Sequence, residues 1–158
     1  MEYRPLTLND LNAVKRLYQQ VIVDLNDNDI SIWDSIYPFR CFEKDINHKT
    51  MVALFSDSTI IACANVTSSH QIEDLIDWNH PLNKALYIER FALSVDFRGC
   101  GMGKLMLKHI ESFALKNNYD SIRLSVVDFN TPAIKFYESY GFKRIRGRHS
   151  TFIDDDSS

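Results

Sequence analysis

The stretch Phe97-Arg98-Gly99-Cys100-Gly101-Met102-Gly103-Lys104 decides the fold of this chain of 158 residues. Before it, residues 85–94 form a strongly β-forming, alternating run, and after it residues 103–117 carry apolar side chains at helical spacing. Glycines between a strand and a helix let backbone N–H groups approach an anion, and the positive end of the helix dipole adds to the attraction. The stretch therefore predicts a phosphate-binding turn in an α/β protein.

Two common phosphate-binding loops do not fit this stretch. A Rossmann fingerprint requires G-x-G-x-x-G, whereas Gly99, Gly101 and Gly103 follow G-x-G-x-G. A Walker A loop needs one more residue between its glycines, and Leu105 stands where Ser or Thr would bind magnesium. On the glycines alone, a strand-to-helix turn that binds no ligand remains the alternative.

The rest of the chain supplies the other elements of an α/β sheet of mixed direction. Apolar spacing and turn residues predict a helix over about 8–25, behind the start signal Thr7-x-x-Asp10, and a short helix over 38–47. They also predict hairpin strands over 51–55 and 60–66 and a strand over 121–127. A further helix opens at Asn130-Thr131-Pro132, with Thr131 as its cap, and ends at Gly141, and strands over 142–146 and 150–153 follow it. The polar residues 67–84 are interpreted as a loop.

Composition places the chain among ordinary globular proteins. It is 45% hydrophobic and 25% charged, and no apolar run approaches the roughly 18 residues that span a bilayer. The start of the chain lacks the pattern of a signal peptide, so we expect a cytoplasmic protein with no membrane partner. Cys41, Cys63 and Cys100 form no C-x-x-C, and no histidine lies at metal-ligand spacing, so no metal site is predicted.

The charge is distributed unevenly along the chain. Residues 1–84 hold 7 basic against 12 acidic side chains, whereas residues 85–158 hold 11 against 9, of which three acidic ones are the run Asp154-Asp155-Asp156. A basic region in a chain of net charge −3 suits a discrete anionic ligand better than a nucleic-acid backbone. Nucleic acid is therefore not an expected partner.

Two spaced motifs resemble the GNAT N-acetyltransferase superfamily. The first is the run from Ile88 to Gly103, which contains (Q/R)-x-x-G-x-(G/A), and the second is Asn130-x-x-Ala133-x-x-Phe136-Tyr137-x-x-x-Gly141-Phe142. The resemblance implies a mixed, mostly antiparallel central sheet with a splayed centre, flanked by helices. It implies a single N-acetyltransferase domain over residues 1–153, and we expect residues 154–158 to be a disordered acidic tail.

The resemblance also implies which residues hold acetyl-CoA. Its pyrophosphate would lie on the loop, its pantetheine arm along the central strand and Asn130, and its sulfur near Tyr137. The implied cofactor-binding residues are Phe91, Ala92, Leu93, Arg98, Gly99, Cys100, Gly101, Met102, Gly103, Lys104, Asn130 and Tyr137. Cys100 is interpreted as a small loop residue and not as a nucleophile, because no histidine is near it in sequence.

The reaction implied is direct acetyl transfer to an amine. Tyr137 is the expected general acid, and a backbone N–H near Leu93 the expected oxyanion donor. Period-two alternation places Tyr87, Glu89, Phe91 and Leu93 on one face, which makes Glu89 the candidate base, directly or through water. Glu89 could instead pair with a surface cation. Ser125 stands where the ribosomal-protein alanine acetyltransferases have their catalytic Glu, which weakens a ribosomal-protein terminus as acceptor.

The acceptor and the partners follow from the loops and the end of the chain. Acidic loop residues, namely Asp27, Asp29, Asp34, Glu73, Asp74 and Asp77, favour a cationic small-molecule or peptide amine. Trp33, Tyr37 and Trp78 could shape its pocket or cap the core. A short final strand would leave a sheet edge uncovered, which predicts a homodimer. The alternative to an enzyme is a non-catalytic acyl-CoA sensor or interaction module of the same fold.

Overall fold

A computed structural model describes residues 1–69, 78, 83–146 and 151–155. The elements are β1 (Glu2–Pro5), α1 (Leu11–Asp27), α2 (Phe42–Asn47), β2 (Met51–Ser56), β3 (Thr59–Thr67), β4 (Ala85–Leu93), α3 (Met102–Lys116), β5 (Ser121–Val126), α4 (Thr131–Tyr140), β6 (Lys143–Arg146) and β7 (Thr151–Asp155). By internal packing the chain divides into two compact units: Met1–Val66 with Arg90–His109, and Thr67–Glu89 with Ile110–Ser158. The division falls within β4 and α3.

The first unit is built on three antiparallel strands in the order β1-β2-β3. The predicted hairpin of β2 and β3 is confirmed, and Asp57 in its turn has a φ of 53°. An aspartate tolerates this left-handed conformation better than most residues, because its short polar side chain can bond locally. The single aspartate of this turn therefore suits the hairpin that it connects.

The strand β1 was not predicted from the sequence. It is four residues long and ends in Pro5, and it pairs with β2 from Glu2 opposite Phe55 to Pro5 opposite Val52. The guanidinium of Arg4 lies 4.0 Å from the ring centre of Phe55. So short a segment with a proline carries no periodicity, and only its partner strand makes it a strand.

The helix α1 begins at the predicted signal. The backbone N–H of Thr7 donates to the carboxylate of Asp10 at 2.8 Å, which closes a capping box around a 3₁₀ turn over Leu8–Asp10. The apolar face of α1 is buried against α2, β2 and β3. The core of this unit contains Val14, Leu17, Tyr18, Val21, Phe42, Ile46, Met51, Ala53, Phe55, Ile60, Cys63 and Ala92.

The second unit contains a mixed set of strands in the order β4-β5-β7-β6. β4 and β5 are parallel, and their register runs from Ala85 opposite Ser121 to Tyr87 opposite Arg123, although both strands continue beyond it. β5 pairs with β7, and β7 pairs with β6, both antiparallel. The predicted α/β class, with mostly antiparallel strands and a splayed centre, is confirmed.

Both strands predicted at the end of the chain are present. β6 and β7 pair from Lys143 opposite Asp154 to Arg146 opposite Thr151, which makes a short hairpin. The prediction is wrong in one respect, because Asp154 and Asp155 lie in β7, where they oppose Arg123 and Ile122, and are not part of a tail. Backbone pairing on both sides of β7 outweighs the low strand propensity of aspartate. Residues 156–158 lie outside the described part, and the homodimer, whose premise was an uncovered sheet edge, stays a prediction.

Candidate active site

The glycine loop lies in the first unit, between a 3₁₀ turn over Val95–Phe97 and the start of α3. Gly99 and Gly101 have φ values of +71° and +77°, which other residues adopt only with strain. A Cβ atom built on either glycine meets no other atom within 4 Å. The loop therefore leaves open space beside the N-terminal turn of α3, which is where backbone N–H groups bind an anion.

The side chains of the loop have distinct environments. Cys100 is exposed, and its Sγ donates to the carbonyl oxygen of Arg98 at 3.4 Å. Lys104 is exposed on the first turn of α3. Arg98, which the family resemblance implies beside the pyrophosphate, forms an ion pair with Asp24 of α1, and Nη1 lies 3.1 Å from Oδ1. Asp24 was not identified from the sequence, because its contact with Arg98 is long-range.

The central strand contains an irregular residue. Arg90 has a φ of 53° although it lies within β4, and its carbonyl oxygen accepts a hydrogen bond from the hydroxyl of Tyr18 at 2.6 Å. A left-handed residue rotates the chain, so alternation by two does not carry across it. The premise that placed Glu89 on the same face as Leu93 by counting therefore fails at Arg90, and Glu89 itself is partly buried.

Beyond Arg90 the strand continues to Leu93 in the first unit. Ala92 is buried in the core, while Phe91 and Leu93 are partly exposed. The backbone N–H of Ser94 donates to the carbonyl oxygen of Ile61 on β3 at 2.8 Å. Ala92 has no side-chain group to offer a ligand, so a contact of this segment with the pantetheine arm would be made by its backbone.

Tyr137 lies in the second unit, on α4. It is buried, and its ring centre lies 5.2 Å from that of Phe136 and 5.7 Å from that of Phe142. Burial raises the pKa of Tyr137 well above the usual value for tyrosine, because the charged phenolate would be desolvated. The hydroxyl therefore stays protonated at neutral pH, which a general acid requires.

The cap of α4 differs from the prediction. The N-cap is Asn130 and not Thr131, and the side-chain oxygen of Asn130 accepts from the backbone N–H of Ala133 at 3.3 Å. Pro132 follows in the first turn, as expected. Asn130 is buried, and it was predicted to bond the pantetheine arm. Because capping uses its oxygen, the amide nitrogen of Asn130 is the group that it can offer to a ligand.

Two of the three aromatic residues considered for an acceptor pocket, Trp33 and Trp78, lie in or beside the cores of their units, whereas Tyr37 is partly exposed. Trp33 packs against the core of the first unit, with its ring centre 5.4 Å from that of Tyr18. In the second unit Trp78 is buried, and the guanidinium of Arg123 lies 4.3 Å from its ring centre. Arg123 also donates to the hydroxyl of Tyr87 at 3.0 Å. The sequence did not indicate this buried arginine, because an isolated Arg in a strand is normally an exposed residue.

The comparison with protein families is decisive for classification. The model of the acetyltransferase (GNAT) family matches residues 15–142, which include the glycine loop, Asn130 and Tyr137. The chain belongs to the acetyltransferase (GNAT) family. The resemblance seen in the two sequence motifs is thereby confirmed.

Individual relatives have different names and cover the chain to different extents. N-alpha-acetyltransferase 50 of Danio rerio is 27% identical over 154 residues, which are 96% of this chain and 80% of that protein. Streptothricin acetyltransferase of Streptomyces lavendulae is 29% identical over 99 residues, so that 63% of this chain matches about half (47%) of that protein. The PaiA N-acetyltransferase of Thermoplasma acidophilum, solved in complex with coenzyme A, has 19% identity, a TM-score of 0.77 and 98% coverage of both chains. At that identity the last comparison shows the fold.

The described residues contain neither a metal-binding cluster nor a membrane-spanning helix. In those residues no three His, Cys, Asp or Glu side chains are grouped so that they could hold a metal ion. No helix of the same residues is long and apolar enough to cross a membrane.

Proposed function

We propose that this protein is an acetyl-CoA-dependent N-acetyltransferase that moves an acetyl group directly to a primary amine of a small molecule or peptide. The observation that carries the proposal is the glycine loop, in which Gly99 and Gly101 are left-handed and face open space at the start of α3. This geometry suits the pyrophosphate of coenzyme A, a ligand that a solved protein of the same fold holds.

The residues of the first unit would bind the cofactor. Backbone N–H groups from Gly99 to Lys104 would bond the pyrophosphate, and Arg98 would add a positive charge. Phe91, Ala92 and Leu93 would pair with the pantetheine arm through their backbone, as an added strand does. When bound, acetyl-CoA supplies a thioester whose carbonyl carbon is open to attack by an amine.

The remaining groups would move protons and stabilise charge. Glu89 would accept the proton of the attacking amine, directly or through water. Because alternation is broken at Arg90, this assignment rests on the position of Glu89 next to Arg90 in β4 and no longer on a face shared with Leu93. The backbone N–H of Leu93 would donate to the acetyl oxygen as negative charge develops on it. Tyr137 would give its proton to the departing sulfur, and Asn130 would hold the arm through its amide nitrogen. Tyr137 keeps its proton over the working pH range, so the proton is present when the sulfur departs, although the raised pKa itself makes the hydroxyl a weaker acid.

Thiol release from acetyl-CoA in the presence of a panel of primary amines tests the proposal. An active transferase releases coenzyme A thiol at a rate that depends on one class of amine. A protein that only senses acyl-CoA would bind it in calorimetry and release no thiol with any amine. Failure to bind coenzyme A would contradict both the transferase and the acyl-CoA sensor.

We infer that the acceptor is cationic, and the charge of the first unit supports this. Three exposed aspartates lie close together in sequence: Asp27 ends α1, and Asp29 and Asp34 lie in the segment after it. Glu73, Asp74 and Asp77 would add to this charge, but they lie outside the described residues. Exposed carboxylates attract a positive substrate over about a Debye length, and added salt weakens the attraction.

Acceptor specificity is measured with polyamines, aminoglycosides, lysine-bearing peptides and neutral or acidic amino acids, each at low and high salt. We expect the cationic acceptors to have the highest kcat/KM at low salt. Neutralising Asp27, Asp29 and Asp34 together should reduce that advantage. A preference for acidic amines, or a rate that ignores both salt and these substitutions, would show that the acceptor is of another class.

A further inference from the structure

The left-handed conformation of Arg90 has a cost that the surrounding residues must offset. A side chain with a Cβ atom is unfavourable at positive φ, and glycine is the residue that usually occupies such positions. Arg90 nevertheless has a φ of 53° in the middle of β4. The residues that follow it, Phe91 to Leu93, are those to which the proposed function assigns the cofactor arm and the acetyl oxygen.

Two contacts within the first unit hold Arg90 in this conformation. The hydroxyl of Tyr18 on α1 donates to the carbonyl oxygen of Arg90 at 2.6 Å, and this tyrosine is fully buried. The guanidinium of Arg90 forms an ion pair with the carboxylate of Asp45 on α2, and the two side chains are 9% and 12% exposed. One contact thus fixes the backbone and the other fixes the side chain.

The backbone of Asp45 is tied to Thr50, the residue before β2, and through it to β3. The backbone N–H of Thr50 donates to the carbonyl oxygen of Asp45 at 3.1 Å, and the hydroxyl of Thr50 donates to Oδ1 of Asn65 on β3 at 2.6 Å. A buried ion pair adds little stability over an apolar pair, because both charges must be desolvated. Its retention at the irregular residue of the strand is better explained by the conformation that it imposes.

We propose that Asp45 and Tyr18 are positioning residues, which hold Arg90 in its left-handed conformation and so aim the backbone groups of Phe91 to Leu93 at the acetyl end of the cofactor. This inference rests on the proposed function. Neither residue touches the reacting atoms; each acts through Arg90. A misplacement of about 1 Å at a reacting centre can lower the rate by about a hundredfold, so the positioning has a measurable consequence.

The first test is Asp45→Asn, with Asp10→Asn as the matched control. Asp10 pairs with Arg4 in the same unit, and its side chain is 15% exposed, but it lies at the start of α1 and does not contact β4. We expect Asp45→Asn to lower kcat by about a hundredfold, with the KM for acetyl-CoA changed by about twofold at most, because the glycine loop is intact. Asp10→Asn should leave kcat unchanged.

The second test covers the case in which Asp45→Asn does not fold because the charge of Arg90 is left buried. The double variants Asp45→Asn/Arg90→Gly and Asp45→Asn/Arg90→Ala both remove the ion pair and the long side chain. They differ in that glycine takes a positive φ without strain and alanine does not. We expect the glycine double variant to retain a kcat about tenfold above that of the alanine double variant. Equal kcat values in the two would overturn the proposal.

Amide hydrogen exchange separates this inference from the proposed function. The Ser94 amide, which bonds Ile61, reports on the strand just beyond the irregular residue. It should exchange faster in Tyr18→Phe and in the alanine double variant than in the wild type, but not in Asp10→Asn. If the wild type transfers no acetyl group and these exchange rates still differ, the proposed function fails and the structural role stands. Unchanged exchange in an active enzyme would overturn the positioning role alone.

Discussion

The guanidinium of Arg98, immediately before the glycine loop, is paired with the carboxylate of Asp24 near the end of α1. The side chain of Arg98 is half exposed, so solvent screens the pair and its contribution to stability is about 0–1 kcal/mol. The carboxylate of Asp24 nevertheless lies beside the guanidinium of Arg98, which the proposed function assigns to binding the pyrophosphate. Under the proposed function, Asp24 and the cofactor would therefore compete for Arg98.

Neutralising Asp24 is expected to strengthen cofactor binding. Asp24→Asn removes the competing carboxylate and should raise the affinity for coenzyme A by up to about fivefold at low salt, and by less at high salt. Calorimetry measures the affinity. Asp57→Asn, which makes the same charge change in the exposed β2–β3 turn, should have no effect. Weaker binding by Asp24→Asn would mean that Asp24 orients Arg98 and does not compete for it.

Bulk and charge at Gly101 are expected to prevent cofactor binding. The positive φ of Gly101 makes any side chain strained there, so Gly101→Ala is the control for strain, with an expected loss of about 1 kcal/mol in unfolding free energy. Gly101→Glu should lose a similar amount but lower the coenzyme A affinity at least about a hundredfold, because its carboxylate repels the phosphates. A folded Gly101→Glu protein that binds coenzyme A normally would move the cofactor elsewhere.

Removing the hydroxyl of Tyr137 is expected to affect turnover and not cofactor binding. Tyr137→Phe should lower kcat about a hundredfold, as loss of a general acid does. Tyr140→Phe is the matched control, because Tyr140 lies on the same helix and its hydroxyl donates to Glu111 at 3.3 Å. Since burial holds the pKa of Tyr137 above the usual tyrosine value, kcat should not fall between pH 9 and pH 10 through its ionisation. Wild-type turnover by Tyr137→Phe would remove the assigned role.

The capping box of α1 is expected to make stability depend on pH. The hydrogen bond from Arg4, together with the N–H of Thr7, holds the pKa of Asp10 below its usual value. A lowered pKa stabilises the fold above the unfolded value of about 4 and loses this effect as pH falls through the folded value. Asp10→Asn should therefore cost about 1 kcal/mol of unfolding free energy at pH 7 and very little near pH 2. Denaturant unfolding at both pH values checks this, and an equal cost at both would contradict it.

The sequence predicted those parts of the fold whose signals are local. The strand-loop-helix around Gly101 and the start of α1 at Thr7 each depend on residues close together in the chain, and each was predicted within a few positions. The strand β1 was missed because its four residues become a strand only through β2. Both strands of the last hairpin were predicted, but the end of β7 was placed at residue 153 for the same reason, since Asp154 is a strand residue only through its neighbours on both sides.

The candidate site could be proposed from the sequence where a motif marks it and not where contacts join distant parts of the chain. The loop glycines were identified from their spacing between a strand and a helix, and Tyr137 from the resemblance of its motif to the family. The partner of Arg98, 74 residues away in sequence, and the contact of Tyr18 with Arg90, 72 residues apart, leave no local pattern. The left-handed conformation of Arg90 also has no sequence signal, because an arginine and not a glycine occupies the position.

Direct acetyl transfer is the central claim, and mass spectrometry of both products tests it most directly. The wild-type protein is incubated with acetyl-CoA, with and without a cationic primary amine, and the masses of the amine and of the protein are measured beside thiol release. We predict thiol release that requires the amine, an equal amount of acetylated amine, and no acetyl group on the protein. Thiol release without an amine, or an acetyl group transiently carried on Cys100 or another side chain, would contradict the account.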